Sequence, residues 1–364
     1  MLLTDFGNVV HVVGTGTIGE PLIGLLADLK KDLGIDEVTF SKKTPLLEDR
    51  SKVWELQKMG AKLCVEREKH SEFRKLGMEP IYEYEEGIAR ASVVIDCTPK
   101  GNGEKNKELF YKKYHDGRKG FVAQGSEKNF GKPYAYGIND NVIDAEKDLY
   151  TQVVSCNTHN IAAIVDTFAI ESSEYGESLS LDSGRFNCIR RGTDISEERG
   201  IVPSPKVEEH VHPKYGTHQA EDAARLFSTL GWDDLDLFSS AMEINSQYMH
   251  VIWFDLILKG KITMEDVHSK ILGNRLIGRT YKSMTSLVSS FGRDHGHYGR
   301  ILNQTVIVLP SLHVRNGNEV IGYSFTPQDG NSLLSSVAAA EHYLYPNSWQ
   351  EKIKRLDKYL FKEI

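Results

Sequence analysis

The sequence predicts a two-part α/β protein: an N-terminal doubly wound parallel sheet, then an α+β part whose sheet is mostly antiparallel. Three observations carry that expectation. The apolar run Val9-Val10-His11-Val12-Val13 leads into Gly14-Thr15-Gly16-Thr17-Ile18-Gly19, and then into helically spaced Leu22, Ile23, Leu25, Leu26 and Leu29. Short apolar runs alternate with helical patterns to about residue 150, as parallel strands joined by crossover helices do. Past Cys156 the alternation yields to longer strand patterns broken by few helices.

Strand, glycines and helix in that order form a dinucleotide-binding fingerprint. Gly14 suits the tight turn, Gly16 the close approach of backbone to a pyrophosphate, and Gly19 the packing of helix on strand. The phosphates then sit on the helix N-terminus. The second strand, Glu37–Phe40, ends in Ser41-Lys42-Lys43-Thr44-Pro45. An NAD site places an acid about 20 residues past the glycines to bond the ribose 2′-hydroxyl, whereas a basic residue there takes a 2′-phosphate. Asp36 and Glu37 stand at the strand's beginning, too early for that task, and the end carries Lys42 and Lys43. The expected cofactor is NADP.

The next elements repeat the pattern. A helix over 51–59, a strand over Ala61–Val65, a charged helix over Glu66–Leu76 and a buried strand over Ser92–Cys97 follow in turn. The strand Phe121–Gly125 comes next. Several of these strand ends carry Gly or Pro turns, which fits a Rossmann-type sheet with a ligand across its carboxyl edge.

Val153-Val154-Ser155-Cys156-Asn157-Thr158 reads as a buried strand ending in a cysteine that opens a helix, continued by Ile161, Ile164, Val165 and Phe168. Unpaired N–H groups and the positive dipole end there favour thiolate, the nucleophile for covalent catalysis at a carbonyl. Later strands are expected at Ser178–Leu181, Arg185–Arg190, Leu235–Ile244, Met249–Leu258, Val306–His313 and Val320–Thr326. Helices are expected over 216–229, Met264–Leu272, Tyr281–Phe291 and Asn331–Tyr345. The expected organisation is a dinucleotide-binding domain over 1–155 and a catalytic domain over 156–330. A C-terminal helical segment, 331–364, is expected to pack back on the first domain.

Composition adds exclusions. A net charge of −7 gives no broad basic field for nucleic acid or anionic membrane. No apolar run approaches the ~20 residues of a membrane span, and the N-terminus lacks the basic and cleavable features of a secretory signal. Cys64, Cys97, Cys156 and Cys188 are far apart, with neither C-x-x-C nor zinc spacing, so reduced thiols in a cytoplasm are expected. His210, His212 and His218 with Glu208 and Glu209 lack a supporting pattern, and no metal is expected.

Read in order, these motifs resemble archaeal-type (type II) phosphorylating glyceraldehyde-3-phosphate dehydrogenase, from Val9 to about Tyr345. The matching segments are residues 14–19, Ser41-Lys-x-x-Pro45, Ile95-Asp96-Cys97-Thr98-Pro99 and Gln124-Gly125-Ser126-Glu127-Lys128. Residues 153–158, Arg190-Arg191-Gly192-Thr193-Asp194 and Met249-His250 complete the set. The resemblance implies Cys156 as nucleophile, Ser155 and Asn157 as its substrate-contacting neighbours, and His250 as catalytic base. It implies that Arg191 reaches the cofactor, and that Thr17, Ile18, Gly125 and Gln328 contact it. His218 resembles one partner of a substrate-phosphate pair; Gln219 beside it and Thr158 are further substrate-side candidates. The implied activity is NAD(P)-dependent oxidation of glyceraldehyde 3-phosphate with inorganic phosphate to 1,3-bisphosphoglycerate, and its reverse, in glycolysis and gluconeogenesis. The implied assembly is a cytoplasmic homotetramer.

Three departures lie near the expected substrate. The family continues Cys-Asn-Thr-Thr-Gly where this chain has Cys156-Asn157-Thr158-His159-Asn160; it has His-Gly where this chain has His218-Gln219. The segment before Pro203-Ser204-Pro205 is also shortened. They keep open a related semialdehyde dehydrogenase or acyl-CoA reductase with the same Cys/His chemistry; the alternative from another class is a non-catalytic NADP-binding sensor, against which the retained Cys156 and His250 count. His159 has two readings: it touches phosphate or tunes the thiolate, or it faces solvent.

Overall fold

The computed structural model describes residues 7–114, 120–125, 127–173, 176–194, 202–327 and 329–364. The chain forms two compact units, one of Met1–Tyr136, Ile143–Val153 and Leu333–Asp357, the other of Gly137–Val142, Val154–Ser332 and Lys358–Ile364.

The first unit is built on strands β1 (Val9–Val13), β2 (Glu37–Ser41), β3 (Lys62–Val65), β4 (Tyr82–Glu83), β5 (Val93–Asp96), β6 (Gly120–Gln124), β7 (Lys132–Tyr134) and β8 (Tyr150–Val153). Their order is β4-β3-β2-β1-β5-β6-β8-β7, and each neighbouring pair is parallel. Every residue of β1 and β5 is buried, the near-continuous apolar pattern of strands covered on both faces. The order reverses between β1, which runs on to β2, and β5, which runs on to β6. That is the switch point where such sheets bind ligands. Val9, Val94, Tyr111, Phe121 and Phe130 pack together in this core. The C-terminal helix Gly330–Leu344 contributes Tyr343, whose hydroxyl bonds the Thr151 hydroxyl at 2.6 Å. Tyr345, just beyond that helix, donates to the Gly34 carbonyl at 2.6 Å.

The second unit holds the hairpin β9 (Ile170–Ser173) and β10 (Gly176–Leu179), then β11 (Leu181–Arg191), β12 (Lys206–Val207), β13 (Leu237–Ile244), β14 (His250–Leu258), β15 (Ile277–Thr280), β16 (Thr305–Val308), β17 (His313–Arg315) and β18 (Glu319–Thr326). The large sheet has the order β12-β13-β11-β14-β18-β16-β15, with β17 on β18. It is mixed and mostly antiparallel, with β11–β13 and β15–β16 as its parallel pairs among the described residues. The helix Cys156–Ala169 is almost wholly buried.

The expected elements differ in instructive places. The single strand expected over Val306–His313 is two strands, because Pro310 sits in a 3-10 turn, Leu309–Ser311, and cannot donate to a ladder. The charged helix expected over Glu66–Leu76 is a 3-10 turn, Arg67–Lys69, and a short helix, His70–Lys75. The helix expected from Tyr281 starts at Thr285, after β15, a strand the apolar pattern does not reveal.

Candidate active site

The glycine turn has the geometry of a phosphate cradle. Gly14 adopts φ +96° and donates its N–H to the Ser41 carbonyl at 3.1 Å, tying the turn to the end of β2. A Cβ on Gly19 would stand 2.1 Å from the Gly14 carbonyl oxygen, so only glycine fits there. A Cβ on Gly16, or on Gly125 at the end of β6, would meet nothing within 4 Å. The turn is therefore closed toward the protein and open on its outer face. Thr17 and Ile18, at the end of the turn, are half-buried. Helix Gly19–Asp28 follows with Ile18 at its N-cap, a side chain with no acceptor to offer the helix N–H groups. The open outer face of the turn and the positive end of that helix fit a pyrophosphate. At the end of β2, Lys42 is largely covered and paired with Asp49 at 2.5 Å, while Lys43 is exposed.

In the second unit, Ser155 is extended and caps the helix that Cys156 opens; its Oγ accepts the Thr158 N–H at 3.4 Å. Asn331 Nδ2 donates to the Cys156 carbonyl at 3.0 Å and to the Gln304 carbonyl at 3.1 Å, which holds the helix start in place. The thiol does not have the lowered pKa that its position predicts. Burial and the Asp329 carboxylate push it up to about 11, against the opposing pull of Arg191, the Asn157 N–H and Arg190. Desolvation outweighs the helix end here. Asp329→Asn removes one of the charges that raise the thiol, so the pKa should fall. Alkylation of Cys156 by iodoacetamide at pH 8, followed on its peptide by mass spectrometry, should then quicken about tenfold, one unit being an ordinary effect of a single neighbouring charge. An unchanged rate would remove Asp329 from the control of this thiol.

His250 begins β14 and pairs in register with Thr326 at the end of β18. The Thr326 hydroxyl donates to Asn157 Oδ1 at 3.1 Å and accepts from Asn160 Nδ2 at 2.8 Å. Those bonds lock the start of the Cys156 helix to the strand ends that carry His250. The Arg191 backbone N–H donates to His250 Nδ1 at 3.0 Å. An acceptor at Nδ1 leaves the neutral ring its proton on Nε2. Burial, reinforced by Arg191 and Arg190, pushes the ring's pKa down to about 3, so it is neutral at pH 7. With Nδ1 accepting that bond, the neutral ring presents its Nε2–H as a donor. The Arg191 side chain pairs with Asp194; that of Arg190 turns away to Glu208, at 2.8 Å, and to Glu243, as adjacent strand residues must.

Other candidates divide. Thr158 is fully buried and its hydroxyl bonds Ser155 Oγ at 2.8 Å, within the helix cap. His159 is fully buried too, and its Nδ1–H donates to the Ser155 carbonyl at 3.0 Å, which excludes the solvent-facing reading. Burial holds its pKa down to about 4, so the ring is neutral near pH 7. Asn160 is a buried hub: its Oδ1 accepts from Thr305 Oγ1 at 2.8 Å and Ser324 Oγ at 2.9 Å. His218 lines a cleft of about 480 Å³ with Lys206, Glu208, Glu209 and Thr217. Gln219, next in the chain, is buried, and its amide makes no hydrogen bond among the described residues. Gln328 and Ser126 lie outside the described residues. Among the described residues, no group of three or more His, Cys, Asp or Glu is placed to hold a metal ion, and no helix is long and apolar enough to cross a membrane. The sequence reading missed Asp49, Lys52 and Asp329, whose proximity to the candidate sites depends on the fold.

No protein-family model matches the chain. Curated relatives do. The chain is 28% identical over 320 residues to the glyceraldehyde-3-phosphate dehydrogenase of Metallosphaera sedula, covering 85% of each protein. It is 27% identical over 352 residues to that of Sulfolobus acidocaldarius, covering 95% of this chain and 94% of the relative. With the enzyme of Pyrobaculum arsenaticum the identity is 24% over 358 residues, 96% of this chain and 95% of the relative. The protein is thus similar, over nearly its whole length, to archaeal proteins named glyceraldehyde-3-phosphate dehydrogenase.

Proposed function

We propose that this chain is a phosphorylating glyceraldehyde-3-phosphate dehydrogenase, using NADP and accepting NAD, in a cytoplasmic homotetramer. The observation that carries the reading is the bond chain from Asn157 through Thr326 to the strand ends holding His250. It sets a helix-opening cysteine and a buried neutral histidine in one framework.

The reaction follows from those groups. The Cys156 thiol first gives its proton to solvent, and the thiolate adds to the aldehyde carbon. The carbonyl oxygen becomes an oxyanion, which the His250 Nε2–H and the N–H groups at the helix start stabilise. The nicotinamide, when bound, supplies the hydride acceptor. As the C–H bond breaks, the oxyanion closes to a carbonyl and Cys156 is left as a thioester, with no further proton to remove. An oxygen of inorganic phosphate then attacks the thioester, the thiolate leaves, and the acyl phosphate forms. His218 and Lys206 in their cleft, with Arg191 on β11, are the donors proposed for the two phosphate groups. Gly14, Gly16, Thr17, Ile18, Gly19 and Gly125 are proposed to hold the dinucleotide, together with Lys42.

A panel of aldehydes assayed with NADP and NAD tests the reading. Cofactor reduction with glyceraldehyde 3-phosphate is expected to require inorganic phosphate and to run faster with NADP. Turnover restricted to a semialdehyde, or dependent on coenzyme A, would replace this reading with the related reductase. Nucleotide binding without turnover of any aldehyde would replace it with a sensor.

A further inference from the structure

Lys42 leaves the carboxyl end of β2, where the ribose 2′ position of a dinucleotide lies in sheets of this kind. Its ammonium bonds Asp49 Oδ2 at 2.5 Å. The other oxygen of the same carboxylate bonds Lys52 Nζ at 3.0 Å. Lys52 stands on the helix Arg50–Lys58 and reaches back to the glycine turn, donating to the Thr15 carbonyl at 3.2 Å. Glu20, in the first turn of the dinucleotide-side helix, lies 3.6 Å from the same ammonium. Two lysines from different elements therefore converge on one carboxylate beside the phosphate cradle. The Lys42 and Asp49 side chains are only 9% and 16% exposed, so their attraction is screened less than that of an open surface pair.

We propose that Asp49 is the residue that sets the choice between a 2′-phosphate and a 2′-hydroxyl, because its carboxylate competes with a 2′-phosphate for Lys42 and Lys52. The inference rests on the dinucleotide-binding part of the proposed function, and it makes Lys52 rather than exposed Lys43 the second cation. Two ammonium groups that span the two oxygens of a carboxylate also suit two oxygens of a phosphate. The phosphate carries about −1.5 to −2 charge against a carboxylate's single one, so it can displace Asp49. The competition lowers the preference for a 2′-phosphate and leaves room for a cofactor without one. The two lysines hold the Asp49 carboxyl below its usual range against the opposing effect of burial, so the competitor is anionic at neutral pH.

The test is calorimetric titration of the full chain with 2′,5′-ADP and with 5′-AMP, which differ by the 2′-phosphate. Asp49→Asn should tighten 2′,5′-ADP about tenfold, as removal of a like charge facing an anion does, and leave 5′-AMP within about twofold. Lys52→Gln should weaken 2′,5′-ADP about tenfold, the loss of one charge-assisted bond, with 5′-AMP again little changed. Unchanged or weaker 2′,5′-ADP binding to Asp49→Asn would overturn the inference. So would a selective loss of 5′-AMP in that variant, which would make Asp49 an acceptor for the ribose hydroxyl. If wild-type protein binds neither probe, the dinucleotide reading falls with the inference; if both bind in a ratio that neither substitution moves, only the inference falls.

Discussion

Cys156→Ser is expected to abolish aldehyde oxidation, by on the order of 10⁶ in kcat, as loss of the nucleophile does in covalent catalysis. A serine hydroxyl is a poor nucleophile at neutral pH unless a base activates it. The histidine of this site, with Nδ1 accepting the Arg191 N–H, presents a donor at Nε2 and no free ring acceptor for that task. Nothing else about the helix start should change. Ser155 still caps the helix, and Asn331 still holds the residue 156 carbonyl, because both bonds go to backbone or to neighbouring residues and not to sulfur. Binding of 5′-AMP, whose expected cradle belongs to the first unit, should therefore stay within a few-fold of wild type. A single-turnover measurement with enzyme in excess separates the effects: cofactor reduction should vanish in the first turnover as well as in the steady state. Residual turnover within tenfold of wild type would take Cys156 out of the chemistry.

Much of the first unit was legible because its signals are local. The glycines at 14, 16 and 19 each do a separate steric task, and the steric need for Gly19 is visible as a contact with the carbonyl five residues earlier. The helix beginning at Cys156 was equally readable, since its small polar start and apolar spacing are local signals. What escaped the sequence depends on how the chain folds. Asp49 joins Lys42 only because the chain folds back after β2, and Asp329 acts on Cys156 from a distant part of the sequence. Burial is the other hidden quantity. A helix N-terminus argues for thiolate, but desolvation of the sulfur reverses the balance. The departures at 159 and 160 show the same lesson. Read as substrate-side changes, they prove to be buried polar residues satisfied by Ser155, Thr305, Ser324 and Thr326, so the fold absorbs them internally.

His250→Asn should lower kcat by ~10²–10³, the loss seen when one donor to an oxyanion is removed or displaced, with a much smaller change in KM. The pH dependence discriminates between the two roles open to the ring. A base would have to titrate in the working range and would leave an inflection near the ordinary histidine pKa of ~6.5. Here burial, with Arg191 and Arg190 nearby, takes the ring to about 3, so it is already neutral at pH 5 and changes no charge from there upward. The thiol, with its pKa near 11, is the group whose ionisation rises across that span. The wild-type kcat/KM for the aldehyde should therefore climb with pH through neutrality without a step near 6.5. His250→Asn should run below it with the same slope. A step near 6.5 in wild type that the substitution removes would restore His250 as the base and would mean that the Arg191 N–H bond to Nδ1 gives way during the reaction.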